Sequence, residues 1–408
     1  MSGAQESRRE AAASLEKIGV TIRDGGPGDE VAGLRPSWVA LPESTDEIAA
    51  VLRAAAGHDL AVLPVGGGTK LHWGPPPERC DLLLDTCCLA AAPDHAAGDL
   101  VVRAQAGVTM EALAGLLARS GQELALDVPM AGATVGGTLA TATAGPRRFR
   151  YGTARDLLIG ITVVLADGTV ARSGGRVVKN VAGYDLGKLF TGSYGTLGVI
   201  AEATFRLHPL PAQRRWIAFT APDPHAARAL VAALAAAQAE PSAVELDWPD
   251  PGAPLTVSAL IEGTAADRRA AALLPLGEAA ALPPEYPEYE DDADGALLEL
   301  RVPPASLATA LLTVRDAAER AGLSPRVSGA AASGVLRIAL PAHEGLSGFV
   351  SAVRAAIDGR LIVVAAPEPL MRRLDPWGET GALTLMRRVK ERLDPGRRMS
   401  PGRFVGGI

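Results

Sequence analysis

Cysteine is nearly absent from this chain of 408 residues. The three present, Cys80, Cys87 and Cys88, are an odd number with one adjacent pair and no C-x-x-C. That excludes a disulfide framework and supplies no cluster-binding set. Small, buried apolar residues in or beside a strand are the expected role for all three. Histidine is equally thin: the six are dispersed singly, with no H-E-x-x-H, so a dedicated zinc site has no support. A G-x-S-x-G elbow is missing, as is a G-x-G-x-x-G between a strand and a helix, which removes the hydrolase and Rossmann readings. Gly68-Thr69-Lys70 lacks the earlier glycine and the spacing of a P-loop.

Basic excess is missing too. Forty Lys and Arg stand against forty-six Asp and Glu, a formal charge of -6, which argues against a nucleic-acid binder. The longest apolar run, Ala229 to Ala237, is far short of the ~20 residues of a spanning helix. The first ten residues, MSGAQESRRE, carry no apolar signal-peptide core. A reduced, cytoplasmic protein with no membrane span of its own is the expectation. Partners could still bring it to a membrane.

What the chain has in quantity is glycine, concentrated in three stretches of its first half: Gly66–Gly68, Gly132–Gly145 and Gly174–Gly198. The last includes GRVVKNVAGYDLGKLFTGSYGTLGVI, six glycines in one segment. Glycine weakens helix and strand interiors, so such stretches are shaped around a close approach to the backbone. Converging backbone N–H groups hold a pyrophosphate without any cationic side chain. Thr69, Thr134, Thr138, Thr141 and Thr143 add candidate hydroxyl donors. The bland alternative is a set of tight turns in a β-rich core; three stretches together favour a bound, extended anion.

Around these stretches the pattern gives regular elements. Ser44 and Glu47 form a capping box ahead of a helix with Ile48, Val51, Leu52 and Ala55 on one face, stopped at Gly57. LAVLPV is a strand ending in the glycines, CDLLLDT and DLVVRAQAG are two more, and Thr109 to Ser120 is an amphipathic helix. Asp127 to Gly152 reads as tightly packed irregular backbone. A hairpin follows, turned at Asp167-Gly168, and then a strand from Val199 to Leu207. The division is 1–33 as a helix and loop, 34–213 as the ligand domain, 214–368 as an Ala-rich unit of charged helices and scattered short strands, and 369–408 as a returning segment. LPPEYPEYEDDADG reads as an exposed loop. The chain shows no internal sequence repeat.

Four segments carry a resemblance: PVGGGTKLHWG, PMAGATVGGTLATATAGPRR, the block from Tyr151 to Pro211, and RLDPGRRMSPGR. They resemble the FAD-binding (PCMH-type) family of vanillyl-alcohol-oxidase kind, and more narrowly the FAD-binding E subunits of bacterial glycolate oxidase. The likeness covers roughly residues 36 to 211 and the last twenty. It implies an α+β fold: a PCMH-type domain of two α+β subdomains, plus a reduced ferredoxin-like α+β cap. It implies FAD held non-covalently, since the first glycine loop contains no histidine for attachment.

On that likeness Gly66, Gly67, Gly68 and Thr69 wrap the pyrophosphate. Pro129, Gly132, Thr134, Gly136 and Gly137 line its other side and the ribityl chain. Ala144, Gly145 and Gly152 pass near the isoalloxazine, and Gly195, Gly198, Val199 and Ile200 meet the adenine half. The sequence departs from catalytic relatives in having no H-x-G-D-G-N motif and in carrying Tyr194 where GSEGTLG has an acid. No catalytic residue is assigned. Arg147, Arg148 and Arg150 form a basic cluster expected to dock another subunit, with Lys179 and Tyr184 in the closing segment.

The resemblance thus implies a subunit that works beside a sister flavin subunit and an iron–sulfur subunit, oxidising glycolate or another small 2-hydroxy acid. The alternatives are a self-sufficient 2-hydroxy-acid dehydrogenase, and a scaffold that no longer binds flavin.

Overall fold

The structure, a computed structural model, describes residues 2–175, 184–281 and 295–408. Lys179 and most of LPPEYPEYEDDADG lie outside the described residues.

The first unit is a four-stranded sheet in the order Thr21–Asp24, Trp38–Leu41, Leu82–Asp85, Val62–Val65. Its first pair is antiparallel and the other two pairs are parallel. Parallel neighbours need a crossover, and the helix Thr45–Gly57 supplies the one between Trp38–Leu41 and Val62–Val65. Ser44 caps that helix by accepting from the Glu47 N–H at 3.2 Å; the Glu47 carboxylate accepts instead from Glu43, so the box is closed one residue early. Ile48, Val51, Leu52 and Ala55 are buried as expected, against Leu82 and Leu84. Residues 1–33 hold more than a helix and a loop: Thr21–Asp24 is an edge strand behind the helix Ser2–Glu16. Its short polar sequence gave no alternation to read.

The second unit is an antiparallel sheet in the order Asp94–Ala96, Val101–Gln105, Val199–Arg206, Leu158–Val164, Val170–Gly174. The last two strands form the expected hairpin, with Gly168 in the left-handed region at φ 80°. The helix Met110–Ala118 buries Leu113 and Leu117 beside this sheet.

The cap is one continuous seven-stranded antiparallel sheet, and its strands are not scattered. Their order is Arg214–Ala221, Leu255–Glu262, Ala243–Trp248, Arg326–Ala330, Val335–Pro341, Gly295–Arg301, Arg360–Ala365. Helices Pro224–Ala235, Leu307–Ala321 and Leu346–Ala356 pack on it over a core that includes Phe219, Leu298 and Phe349. From Gly295 to Ala365 the chain runs β-α-β-β-α-β with the split order of a ferredoxin-like unit. Arg214 to Ala271 repeats the first five elements, and the lone bridge Phe219–Ala279 stands where its fourth strand would. The cap is therefore a duplication in topology, joined where Ala243–Trp248 pairs Arg326–Ala330. No side-chain pattern repeats with it, which is why the sequence shows no period.

Two of the places where the cap and the first units meet are built on buried side chains. Trp73 packs with Leu297, Val364 and Ala365, with Met130 and Tyr194 against them. A buried ionic knot centred on Arg147 forms the other contact. Met399 bridges Val62 in parallel, which sets the C-terminal segment against the first unit.

Candidate functional site

The parallel strands Val62–Val65 and Leu82–Asp85 both run out at the same edge, and a cleft opens there. Gly66, Gly67, Gly68 and Thr69 form its floor, with Thr86 from the neighbouring strand end. Thr134, Gly136 and Gly137 make a second wall, from the start of the short helix Val135–Ala140. Gly195, Gly198, Val199 and Ile200 close the third side, where the strand Val199–Arg206 begins. All three glycine stretches thus meet at one concave surface.

Glycine is required here by the protein's own packing. A Cβ on Gly67 would collide with the Gly132 carbonyl oxygen, and one on Gly66 with the Thr134 hydroxyl. At Gly198, φ is 151° and a Cβ would lie 2.5 Å from the Val164 carbonyl oxygen. These contacts bring the two loops together and bare their backbones along the cleft. Among the described residues, no hydrogen bond is donated by the N–H of Gly66, Gly67, Gly68 or Thr69. A row of such amides suits an anion.

Five expected residues lie elsewhere. Gly132 is behind the floor, backing Gly67. Pro129 lines a separate cleft under the helix Met110–Ala118, shared with Arg147 and Arg214. Ala144 and Gly145 line a small third cavity between the first units and the cap. Gly152 ends the helix Arg148–Tyr151 at φ 84°, tight against Asp156.

Sequence reading missed several of the cleft's side chains. Lys70, Tyr194 and Arg403 all line it. Arg403 donates to the Leu71 carbonyl at 2.9 Å and the Trp73 carbonyl at 2.8 Å. Burial pulls its guanidinium down to about 10, so it stays cationic at neutral pH. Tyr194 sits at φ 54° and stacks edge-on with Trp377, 5.2 Å between ring centroids. Burial pushes its phenol up to about 12, so it is neutral. Arg403 ends the quoted RLDPGRRMSPGR segment, the one signal that pointed to it.

The arginine cluster divides. Arg147 is not a docking residue: it is buried, with Nε on Asp127 at 2.7 Å and Nη1 on both Glu123 oxygens at 2.9 Å. Its Nη1 also reaches Glu262 of the cap at 3.4 Å, and Arg214 joins Glu262 at 2.9 Å and Glu123 at 2.8 Å. Three carboxylates on one guanidinium compensate its desolvation. Arg148 is half-buried and donates to the Ala144 and Gly145 carbonyls. Arg150 is exposed. Of the thiols, Cys80 is buried as expected, but Cys87 and Cys88 are exposed on the turn after Leu82–Asp85. Among the described residues no group of three or more His, Cys, Asp or Glu is placed to hold a metal, and no helix is long and apolar enough to cross a membrane.

With the cleft in view, comparison with known proteins names the cofactor of the segment that forms it. Residues 36–174 match the FAD binding domain family. This FAD binding domain contributes the cleft's floor and second wall, and FAD is the cofactor it takes. Over 221 residues the chain is 34% identical to the glycolate oxidase subunit GlcD of Bacillus subtilis, a stretch that is 52% of this chain and 46% of that protein. Over 181 residues it is 35% identical to the mitochondrial D-lactate dehydrogenase (cytochrome) 1 of Saccharomyces cerevisiae, 43% of this chain and 30% of that one. The matches therefore span less than half of those relatives. The fold as a whole is similar to that of p-cresol methylhydroxylase, TM-score 0.74 over 98% of this chain and 97% of that one at 14% identity. It is similar also to alkyldihydroxyacetonephosphate synthase, TM-score 0.68 over 91% and 78% at 18% identity. At those identities the likeness establishes the α+β fold alone.

Proposed function

We propose that the chain is a FAD-dependent oxidoreductase acting on small 2-hydroxy acids, and that it works as the FAD-binding subunit of a glycolate oxidase-like complex. The observation that carries this reading is the meeting of the three glycine stretches at one cleft in the segment that matches the FAD binding domain. The relatives named for glycolate and D-lactate oxidation support the substrate class.

Bound FAD supplies a two-electron acceptor for oxidation of the hydroxyl-bearing carbon. The chain's own residues hold and shield it. The Gly66–Thr69 amides offer their N–H groups to the pyrophosphate, and Lys70 and Arg403 bring positive charge to balance its anions. Val199 and Ile200 give an apolar wall, and Tyr194 with Trp377 and Phe404 keeps water from the cap side. The first loop, Gly66–Thr69, contains no histidine, and FAD is proposed to be held non-covalently.

The subunit role rests on what the chain does not bring: it has neither the H-x-G-D-G-N motif nor cysteines for a cluster. A sister flavin subunit would then carry the main chemistry, and an iron–sulfur subunit would take the electrons. Purification alone and after co-expression with such partners tests this. Glycolate oxidation with a dye acceptor should be weak for the chain alone and robust for the assembly. Robust turnover by the chain alone contradicts the subunit reading and leaves a self-sufficient dehydrogenase.

A further inference from the structure

Two exposed thiols stand together beside the glycine-lined cleft and have no part in the chemistry proposed above. Cys87 Sγ lies 3.6 Å from Cys88 Sγ, a contact in which either sulfur can donate. They fill the two central positions of the turn Thr86–Leu89, which the Leu89 N–H closes by donating to the Thr86 carbonyl at 2.9 Å. Asp85 fixes the entry to the turn, its carboxylate accepting from the Cys87 N–H at 2.9 Å. Free thiols are ordinarily among the most buried side chains, so a paired and exposed one needs a reason.

Both ends of the turn are held. Leu89 is fully buried, and its carbonyl accepts from the Gly107 N–H at 2.9 Å. Thr86 donates twice to the Val65 carbonyl, from its N–H at 2.9 Å and from its hydroxyl at 3.0 Å. Thr86 and Val65 both line the cleft beside Gly66–Thr69. Cys87 therefore follows directly on a residue of the cleft.

We propose that Cys87 and Cys88 are an oxidative modification site, at which hydrogen peroxide joins the two sulfurs in a disulfide and so loosens the cleft floor at Thr86. The chemistry runs in two steps. Cys88 gives up its proton and its sulfur attacks one peroxide oxygen; the O–O bond breaks, a sulfenic acid forms and the other oxygen leaves as water. The Cys87 sulfur then attacks the sulfenic sulfur, an S–S bond forms, and the hydroxyl leaves as water with the Cys87 proton. Two thiols are oxidised and one peroxide is reduced to two waters. Cys88 acts first for a physical reason. What burial the Cys87 sulfur has, its hydrogen bond with Cys88 and the Asp85 carboxylate push the Cys87 thiol up to about 12, and the thiolate is the nucleophile.

Closing the bond bears on the cleft. The sulfurs must come from 3.6 Å to ~2.05 Å, and the turn has to twist to let them. Leu89 is fixed in the core, so the displacement passes to Thr86 and Val65. Neighbouring Cα atoms are ~3.8 Å apart, closer than most disulfides bridge, so a thiol reductant reopens such a bond readily.

The test uses the full chain, reduced, loaded with FAD and then treated with hydrogen peroxide. Digestion before Asp85 and Asp94 gives a peptide, residues 85–93, that holds the pair without Cys80. That peptide should lose two hydrogens and regain them with dithiothreitol, while Cys80 keeps its thiol. The FAD affinity of the oxidised chain should fall about tenfold and return on reduction. Amide exchange across residues 64–71, read with or without flavin, should quicken on oxidation. Cys88→Ser should show none of these changes. A peptide of unaltered mass overturns the proposal, as does one that gains oxygens without closing. So does a disulfide that forms with affinity and exchange unaltered, or a Cys88→Ser chain that responds to peroxide like the wild type. A reduced chain that takes up no FAD, while its pair closes and its exchange quickens, sinks the proposed function and leaves this site standing. A chain bleached by glycolate whose pair ignores peroxide does the reverse.

Discussion

Lys390 Nζ donates to the carbonyl of Thr196 at 2.7 Å, joining residues 194 positions apart in the chain. The same ammonium holds Asp394 at 2.7 Å and the Met399 carbonyl at 2.9 Å, all of it buried. Burial draws the ammonium down from the ordinary lysine range, and Asp394 opposes that. Thr196 lies between Gly195 and Gly198, so the C-terminal helix Leu383–Leu393 is fastened directly to the third wall of the glycine-lined cleft.

Breaking that clasp should damage the cleft from a distance. Lys390→Met leaves Asp394 buried without its cation, a loss of about 3–5 kcal/mol by the behaviour of such pairs. Urea denaturation should show this, and FAD retention on gel filtration should fall with it. Unchanged stability would mean the segment is only loosely docked.

The close approach of two glycine loops gives a sharper test. Gly67→Ala places a methyl on the Gly132 carbonyl oxygen and should lower FAD affinity tenfold or more, about 1.4 kcal/mol at least. Gly57→Ala meets nothing within 4 Å and has no unusual dihedral, so it should bind FAD like the wild type. Equal affinity in both variants would mean the Gly66–Thr69 loop does not shape the site.

Glu262 links cap and FAD binding domain and predicts an acid limit. Burial pushes its carboxyl up, but hydrogen bonds and the Arg214 and Arg147 cations win and hold it below the ordinary glutamate range. A carboxylate depressed in the folded state adds stability above its unfolded value, and that stability fades as pH falls through the folded one. Glu262→Gln should therefore be destabilised by about 2–4 kcal/mol at neutral pH. The gap to wild type should narrow in acid. Denaturation midpoints against pH measure both; a gap that does not change with pH contradicts the assignment.

The thiols should react in two classes. Cys87 and Cys88 are exposed and Cys80 is buried, its thiol pushed up to about 12 by desolvation. Maleimide labelling of the native protein followed by mass analysis should modify the adjacent pair and spare Cys80 until denaturant is added. Early labelling of Cys80 would mean that the segment leading into Leu82–Asp85 opens readily.

How much of this could be read from sequence follows from how local each signal is. The glycine loops were legible because a backbone that must approach another backbone can use only one residue type, as Gly67 against Gly132 does. Helix caps such as Ser44 and the Gly168 turn act within a few residues, so they were legible as well. Arg403 and Lys70 reach the cleft from opposite ends of the chain, and no window joins them. Arg147 looked like a surface group because nothing in the run Arg147-Arg148-Phe149-Arg150 reveals that Glu123, Asp127 and Glu262 converge on it. The cap's duplicated topology stayed hidden because strand order is set by packing, and its two halves reuse connections without reusing side chains.

The most direct measurement is the visible absorbance spectrum of the purified chain before and after heat denaturation. Flavin bands in the native protein that move to the supernatant on heating are the predicted result, and they mean non-covalent FAD. A folded, colourless chain that takes up no added FAD would contradict it, and the cleft's glycines would then serve packing alone.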